Sequence, residues 1–210
     1  MDFLSVNTLI IAFTVLVSIN AFSNPNMLGK LAHAPYYEAR NKEYYRWLTS
    51  GFLHGDYMHL LFNMLSLYSF GPLVERFFEL KFGVIGHFIY LLFYLVGIVA
   101  ASYGTYLRER NNSYFHSIGA SGAVSAIIFA AILLQPLGDI YLYYAIPIKP
   151  FIFAGLYLWY CTYAARRNRD NIDHMAHFYG AIFGFAGLLL FEPRLLLHFF
   201  SEIVGWFQSF

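Results

Sequence analysis

Gly119-Ala120-Ser121-Gly122-Ala123-Val124-Ser125-Ala126-Ile127-Ile128-Phe129-Ala130-Ala131-Ile132-Leu133-Leu134-Gln135-Pro136-Leu137 is an uncharged run whose only hydroxyls are two serines near its start. A hydrocarbon core about 30 Å thick takes roughly 20 mostly apolar residues as a helix, and this stretch has that length. Comparable runs lie on either side of it at 4–22, 52–74, 84–104, 147–165 and 173–191, separated by Gly, Pro or charged residues. Six such runs predict an all-α membrane protein, a bundle of six transmembrane helices forming one domain over residues 1–210. The composition agrees: of 210 residues, 59% are hydrophobic, 21% aromatic and only 12% charged, too apolar a mixture for a soluble domain. The run at 4–22 has no basic segment before it and no clear small-residue cleavage site after it, so it is expected to stay as a first helix.

The rest of the chain adds little that is polar. The formal net charge is +1 and the basic residues are scattered over short loops, which argues against nucleic acid as a partner. Cys161 is the only cysteine. It can make neither an intrachain disulfide nor a cysteine-rich metal site, so no metal or cofactor is expected, and it is expected to face lipid or to be packed. The segment 23–51 carries Pro25, Pro35, several charges and Tyr36, Tyr37, Tyr44 and Tyr45, and is expected to be a structured interfacial loop. In the tail 193–210, Arg194, His198 and Glu202 alternate with leucines, phenylalanines and Trp206 at near-helical spacing, which suits a helix lying on the membrane surface.

Polar groups inside apolar spans cost free energy unless they are paired or wet, so their positions carry the functional signal. Three strings stand out. The first, His54-Gly55-Asp56-Tyr57-Met58-His59-Leu60-Leu61-Phe62-Asn63, has Asp56 as a candidate helix cap and puts His59 and Asn63, four apart, on one face. The second is Gly119-Ala120-Ser121-Gly122, and the third is Ala176-His177-Phe178-Tyr179-Gly180, continuing to Gly184. Each alone has an ordinary reading, a serine bonded back to its own helix or a histidine joining two helices. Together they supply a nucleophile, a base and oxyanion donors, the parts that acyl transfer needs. Gly122, Ala126 and Ala130 form one small-residue stripe and Ala176, Gly180 and Gly184 another, which lets two backbones approach. Such an approach would bring the His177 ring to roughly 3 Å from the Ser121 hydroxyl, the distance of proton transfer.

At these residues the chain resembles the rhomboid family of intramembrane serine proteases. The family's motifs are a Gly-x-Ser-Gly string, an Ala-His-x-x-Gly string and a His-x4-His-x3-Asn array, and all three occur here in the family's order and spacing, over roughly residues 44–187. The resemblance implies that Ser121 is the nucleophile and His177 the general base, a dyad with no acidic third member. It further implies that His59 and Asn63 donate to the oxyanion, helped by the Ser121 N–H, and that the bundle encloses a polar cavity open to water. His54 is expected to hold a loop, and Glu75 to hold the second span against its neighbours. Substrates would be transmembrane proteins within the lipid bilayer, cut where their helices unwind near one interface. Two departures are visible. Tyr45-Arg46 stands where many relatives have Trp-Arg, and Ser125 stands where a tyrosine commonly packs on the catalytic imidazole, so another aromatic or the Ser125 hydroxyl must orient His177.

Two rivals stay open at this level. A catalytically inactive relative that binds membrane clients is disfavoured by the intact Ser121 and His177. A proton-coupled transporter is disfavoured because the fourth and sixth spans hold no acidic partner and no internal repeat is evident. The resemblance also implies a multi-pass protein of a bacterial inner (plasma) membrane with its active site toward the outer side. Charge argues the other way: Lys30, Arg40, Lys42, Arg46, Arg108, Arg110, Arg166, Arg167 and Arg169, nine of the thirteen basic residues, fall on the catalytic side. Glu38, Glu43, Glu109, Asp170 and Asp173 are expected to pair with some of them, and the family orientation is retained.

Overall fold

A computed structural model describes residues 5–142, 146–167, 170 and 172–210; Asn168 and Arg169 lie outside the described residues. The chain is mostly helical. In chain order the helices are α1 (Val6–Phe22), α2 (Pro25–Leu31), α3 (Pro35–Asn41), α4 (Arg46–Thr49), α5 (Tyr57–Phe82), α6 (Ile85–Glu109), α7 (Ser121–Leu134), α8 (Pro150–Arg167), α9 (His174–Phe191) and α10 (Arg194–Gln208). Between α7 and α8 lies an antiparallel pair, β1 (Ile140–Leu142) and β2 (Ile146–Ile148), in the register Ile140↔Ile148. Among the described residues α6 and α9 are long and apolar enough to cross a membrane, while α1 and α7 are shorter apolar helices.

α7 is the axis of the packing. Eleven of its 14 residues are buried, among α5, α6 and α9. Its partner α9 runs parallel to it, because a Cβ on Gly180 would strike the Gly122 carbonyl and a Cβ on Gly184 the Ala126 carbonyl, both contacts advancing by four residues. Only glycine allows backbones so close. The core continues through Leu67, Phe78, Tyr90, Phe93, Ile127 and Leu188.

Several boundaries differ from the expected runs for identifiable reasons. α5 begins at Tyr57, where the Asp56 carboxylate accepts from the His59 N–H at 2.8 Å, and it runs on to Phe82 through charged residues that seemed to end the span at 74. The charges do not stop it because Glu75 is only 4% exposed and fully partnered, and Arg76 pairs with Glu79 three residues on. Gly83, at φ 63°, then ends the helix. α7 starts at Ser121 and stops at Leu134, not 137, since Gln135 precedes Pro136 and leaves the helical region. The segment 23–51 holds three short helices, two of which open on Pro25 and Pro35, where the missing proline N–H is no loss. The β1–β2 pair was not foreseen. α10 has no buried residues and rests Phe199 against Phe185 and Trp206 against Phe151.

Candidate active site

The site is assembled where α5, α7 and α9 all begin. Ser121 is the first residue of α7, and the N-cap Ala120 offers no side-chain hydrogen bond. The first N–H groups of a helix have no partner within it, so those of Ser121, Gly122 and Ala123 remain as donors at the positive end of the helix dipole. Gly119 makes this presentation possible. Its φ is 137°, and a Cβ there would lie 2.8 Å from His59 Cε1, 3.0 Å from His59 Nε2 and 3.5 Å from Ser121 Oγ. The His59 ring and the Ser121 hydroxyl therefore border the same space beside Gly119.

His177 is the fourth residue of α9, whose start is fixed by Asp173. That carboxylate accepts from the Ala176 N–H and from the Thr105 hydroxyl, each at 2.9 Å. Ser121, His177, His59, Asn63, Gly119 and Gly122 all line one cavity of about 1130 Å³. Among the described residues no hydrogen bond joins the Ser121 hydroxyl to the His177 ring; in unliganded sites such bonds are often long and tighten when substrate binds. Asn63, 7% exposed, has its amide nitrogen on the His59 carbonyl of its own helix at 3.0 Å.

The other expected residues do not line the cavity. Fully buried His54 receives the Ala120 N–H at Nε2 (3.4 Å), which leaves its ring proton on Nδ1, 2.8 Å from Ser18 Oγ; the Ser18 hydroxyl donates onward to the Phe52 carbonyl at 2.9 Å. This chain ties α1 to the backbone just before Ser121. Glu75 accepts the Val6 and Asn7 N–H groups at 2.8 and 3.1 Å and meets His87 Nδ1 at 2.8 Å, joining α5 to α1 and α6. Arg46 donates to the Gly29 and Ala32 carbonyls at 2.7 and 3.0 Å and to Glu43 at 2.6 Å, and this bond holds the Glu43 carboxyl below its usual range. Gly180 and Gly184 act only through the close helix contact.

Some residues here were not anticipated. Glu38, expected among the partners of loop cations, is instead fully buried and accepts from His33 Nδ1 (2.8 Å), the Ala34 N–H (2.7 Å) and Trp47 Nε1 (2.8 Å). Asp170 and Asp173 also take other partners, His174 and the α9 cap, while Glu43 and Glu109 do pair with Arg46 and Arg108. His33 exchanges backbone bonds with Ser117 at 3.0 Å, fastening the 23–51 segment to the loop before α7. Tyr157 of α8 and His174 of α9 flank the His177 ring, at centroid distances of 6.3 and 6.0 Å. No spacing in the sequence marks them, since an aromatic residue in an apolar helix looks like core. Cys161 is packed, at 1% exposure.

A helical chain with a serine at one buried helix start and a histidine at its parallel neighbour's start defines a class in which polar chemistry is enclosed by apolar helices. Residues 41–193 match the Rhomboid domain, and the chain belongs to the rhomboid family, which is membrane-embedded and whose members are generally serine proteases. It is 30% identical over 144 residues to "RHOMBOID-like protein 12, mitochondrial" of Arabidopsis thaliana, covering 64% of this chain and 42% of that protein. It is 29% identical over 150 residues to "Putative rhomboid protease YdcA" of Bacillus subtilis, covering 69% and 66%. "Rhomboid-like protein 11, chloroplastic" of Arabidopsis thaliana is 34% identical over 92 residues, covering 44% and 30%. The chain thus spans less than two thirds of the length of each of these relatives.

Proposed function

We propose that this protein is an intramembrane serine endopeptidase that cuts transmembrane segments of membrane-protein substrates. One observation carries the reading: Ser121 opens α7, His177 lies in the first turn of the parallel helix α9 with which α7 is in glycine-mediated contact, and both residues line one cavity with His59 and Asn63. In this reading α1, α5, α6, α7, α8 and α9 are six membrane spans, and α10 lies on the bilayer surface.

The reaction follows from the placement of these groups. As Ser121 Oγ attacks the substrate carbonyl, the His177 imidazole takes the hydroxyl proton and the carbonyl oxygen becomes an oxyanion. The Ser121 N–H and the His59 and Asn63 side chains donate to that oxygen, where the negative charge develops. The imidazolium returns its proton to the leaving amine, the C–N bond breaks, and an ester to Ser121 remains. Water entering the cavity attacks this ester, His177 again takes the proton, and collapse of the second tetrahedral species returns it to Ser121 Oγ. α7 measures about 21 Å at 1.5 Å per residue, shorter than a hydrocarbon core of about 30 Å, so the nucleophile would sit below the membrane surface. A substrate helix must unwind locally to reach it.

Labelling with a serine-directed fluorophosphonate tests the reading. Wild-type protein in detergent should be labelled at Ser121, Ser121→Ala should not, and His177→Ala should label at least about 100-fold more slowly, as loss of a general base requires. A folded wild-type protein that takes no label would refute it.

A further inference from the structure

Resting on that proposed reading, a second question is what aims the base. Among the described residues no hydrogen bond reaches the His177 ring and no carboxylate faces it directly, so packing must set its rotamer. The ring is stacked on Tyr157, with centroids 6.3 Å apart and planes 22° apart, within the range of an offset aromatic pair. His174 meets the same imidazole edge-on at 6.0 Å and 86° and is itself held by Asp170 at 3.1 Å.

Tyr157 is held from three directions. Its ring packs against Phe153 (5.5 Å) on its own helix and Phe129 (5.6 Å) on α7. Its hydroxyl lies 2.6 Å from Ser125 Oγ, and the Ser125 hydroxyl bonds to the Ser121 carbonyl at 2.8 Å. A carbonyl can only accept, so Ser125 spends its single proton there and Tyr157 must donate to Ser125. The result is a directed chain from the Tyr157 phenol through Ser125 to the nucleophile's own carbonyl.

We propose that Tyr157 is the positioning residue for the base: its ring face fixes the His177 imidazole, and its bond to Ser125 locks that face in register with Ser121. One side chain from α8 then couples the two helices that carry the dyad. The role left open by a serine at position 125 is filled by the tyrosine which that serine anchors.

Inactivation by the fluorophosphonate separates chemistry (kinact) from binding (KI) without a known substrate. Tyr157→Leu removes the ring and should lower kinact by about 10- to 100-fold, as for a reacting group held about 1 Å out of place, with KI within about twofold of wild type. Tyr157→Phe keeps the ring and should recover most of that rate, remaining about fivefold slow, the effect of one neutral hydrogen bond. Ser125→Ala should match it, and the double variant Ser125→Ala/Tyr157→Phe should be no slower than either single one. Unchanged kinact in Tyr157→Leu, a loss confined to KI, or additive losses in the double variant would each overturn the proposal. If Tyr157→Leu fails to melt cooperatively, the Tyr157→Phe and Ser125→Ala cycle decides alone. Failure of the underlying reading is distinct, since then wild-type protein is not labelled at Ser121 at all.

Discussion

The site depends on where single residues stand along their helices. Ser121 at the first position of α7 has unpaired N–H donors around it, and Gly119 before it leaves the space that the His59 ring occupies. The two proposed oxyanion donors are not equivalent. The His59 ring borders the same space beside Gly119 as the Ser121 hydroxyl, whereas the Asn63 amide is already engaged with the His59 carbonyl. His59→Ala should therefore slow cleavage by about 10²-fold, the cost of one oxyanion donor, and Asn63→Ala by clearly less. Steady-state rates on a transmembrane peptide reporter check this, and equal losses, or none, would contradict the ranking. At this scale Ser121 and His177, which line one cavity, stood out in the sequence because hydroxyl and imidazole groups are conspicuous inside apolar runs. Tyr157 was not, because nothing local separates the one of eighteen tyrosines that stacks on His177 from those that pack lipid or core. Glu38 was missed for a related reason: its three donors come from its own short segment and from Trp47, a closure visible only once the loop is folded.

Elements position these residues through close contacts that tolerate no added atoms. Gly184 faces the Ala126 carbonyl, so Gly184→Ala must push α9 away from α7 or distort both. The expected cost is about 1–3 kcal/mol of stability, typical of overpacking, with a drop in activity as His177 moves from Ser121. Gly155→Ala in α8, where an added Cβ meets nothing within 4 Å, should leave stability unchanged or slightly raised. Thermal unfolding of both variants in one detergent makes the comparison, and equal effects would count against the contact. The small-residue stripes announced this pairing in the sequence. The length of α5 was hidden, because charge reads as a span boundary unless the partners of Glu75 on α1 and α6 are known. The β1–β2 pair was hidden as well, its strands being only three residues each.

On the scale of the whole molecule, the proposed six-span bundle holds the cavity lined by Ser121 and His177 at the end where α5, α7 and α9 start. Orientation in the membrane follows from neither the cavity nor the helix packing. The charges of the catalytic end favour the cytoplasm, and the family-like orientation favours the outside. Tyr114, 92% exposed in the loop between α6 and α7, offers a direct probe. With Cys161 replaced by serine, Tyr114→Cys should react with a membrane-impermeant maleimide on intact cells; reaction only after lysis would place the site on the cytoplasmic face.

The most direct test of the dyad is cleavage itself. Purified protein is mixed with a transmembrane peptide reporter carrying a helix-breaking Gly-Ala segment, and products are followed by mass spectrometry alongside Ser121→Ala and His177→Ala proteins of matched melting temperature. The dyad predicts a single cut by wild type at an unwound position near one end of the segment and no product from either variant. Wild-type rates of cleavage by folded Ser121→Ala would contradict it.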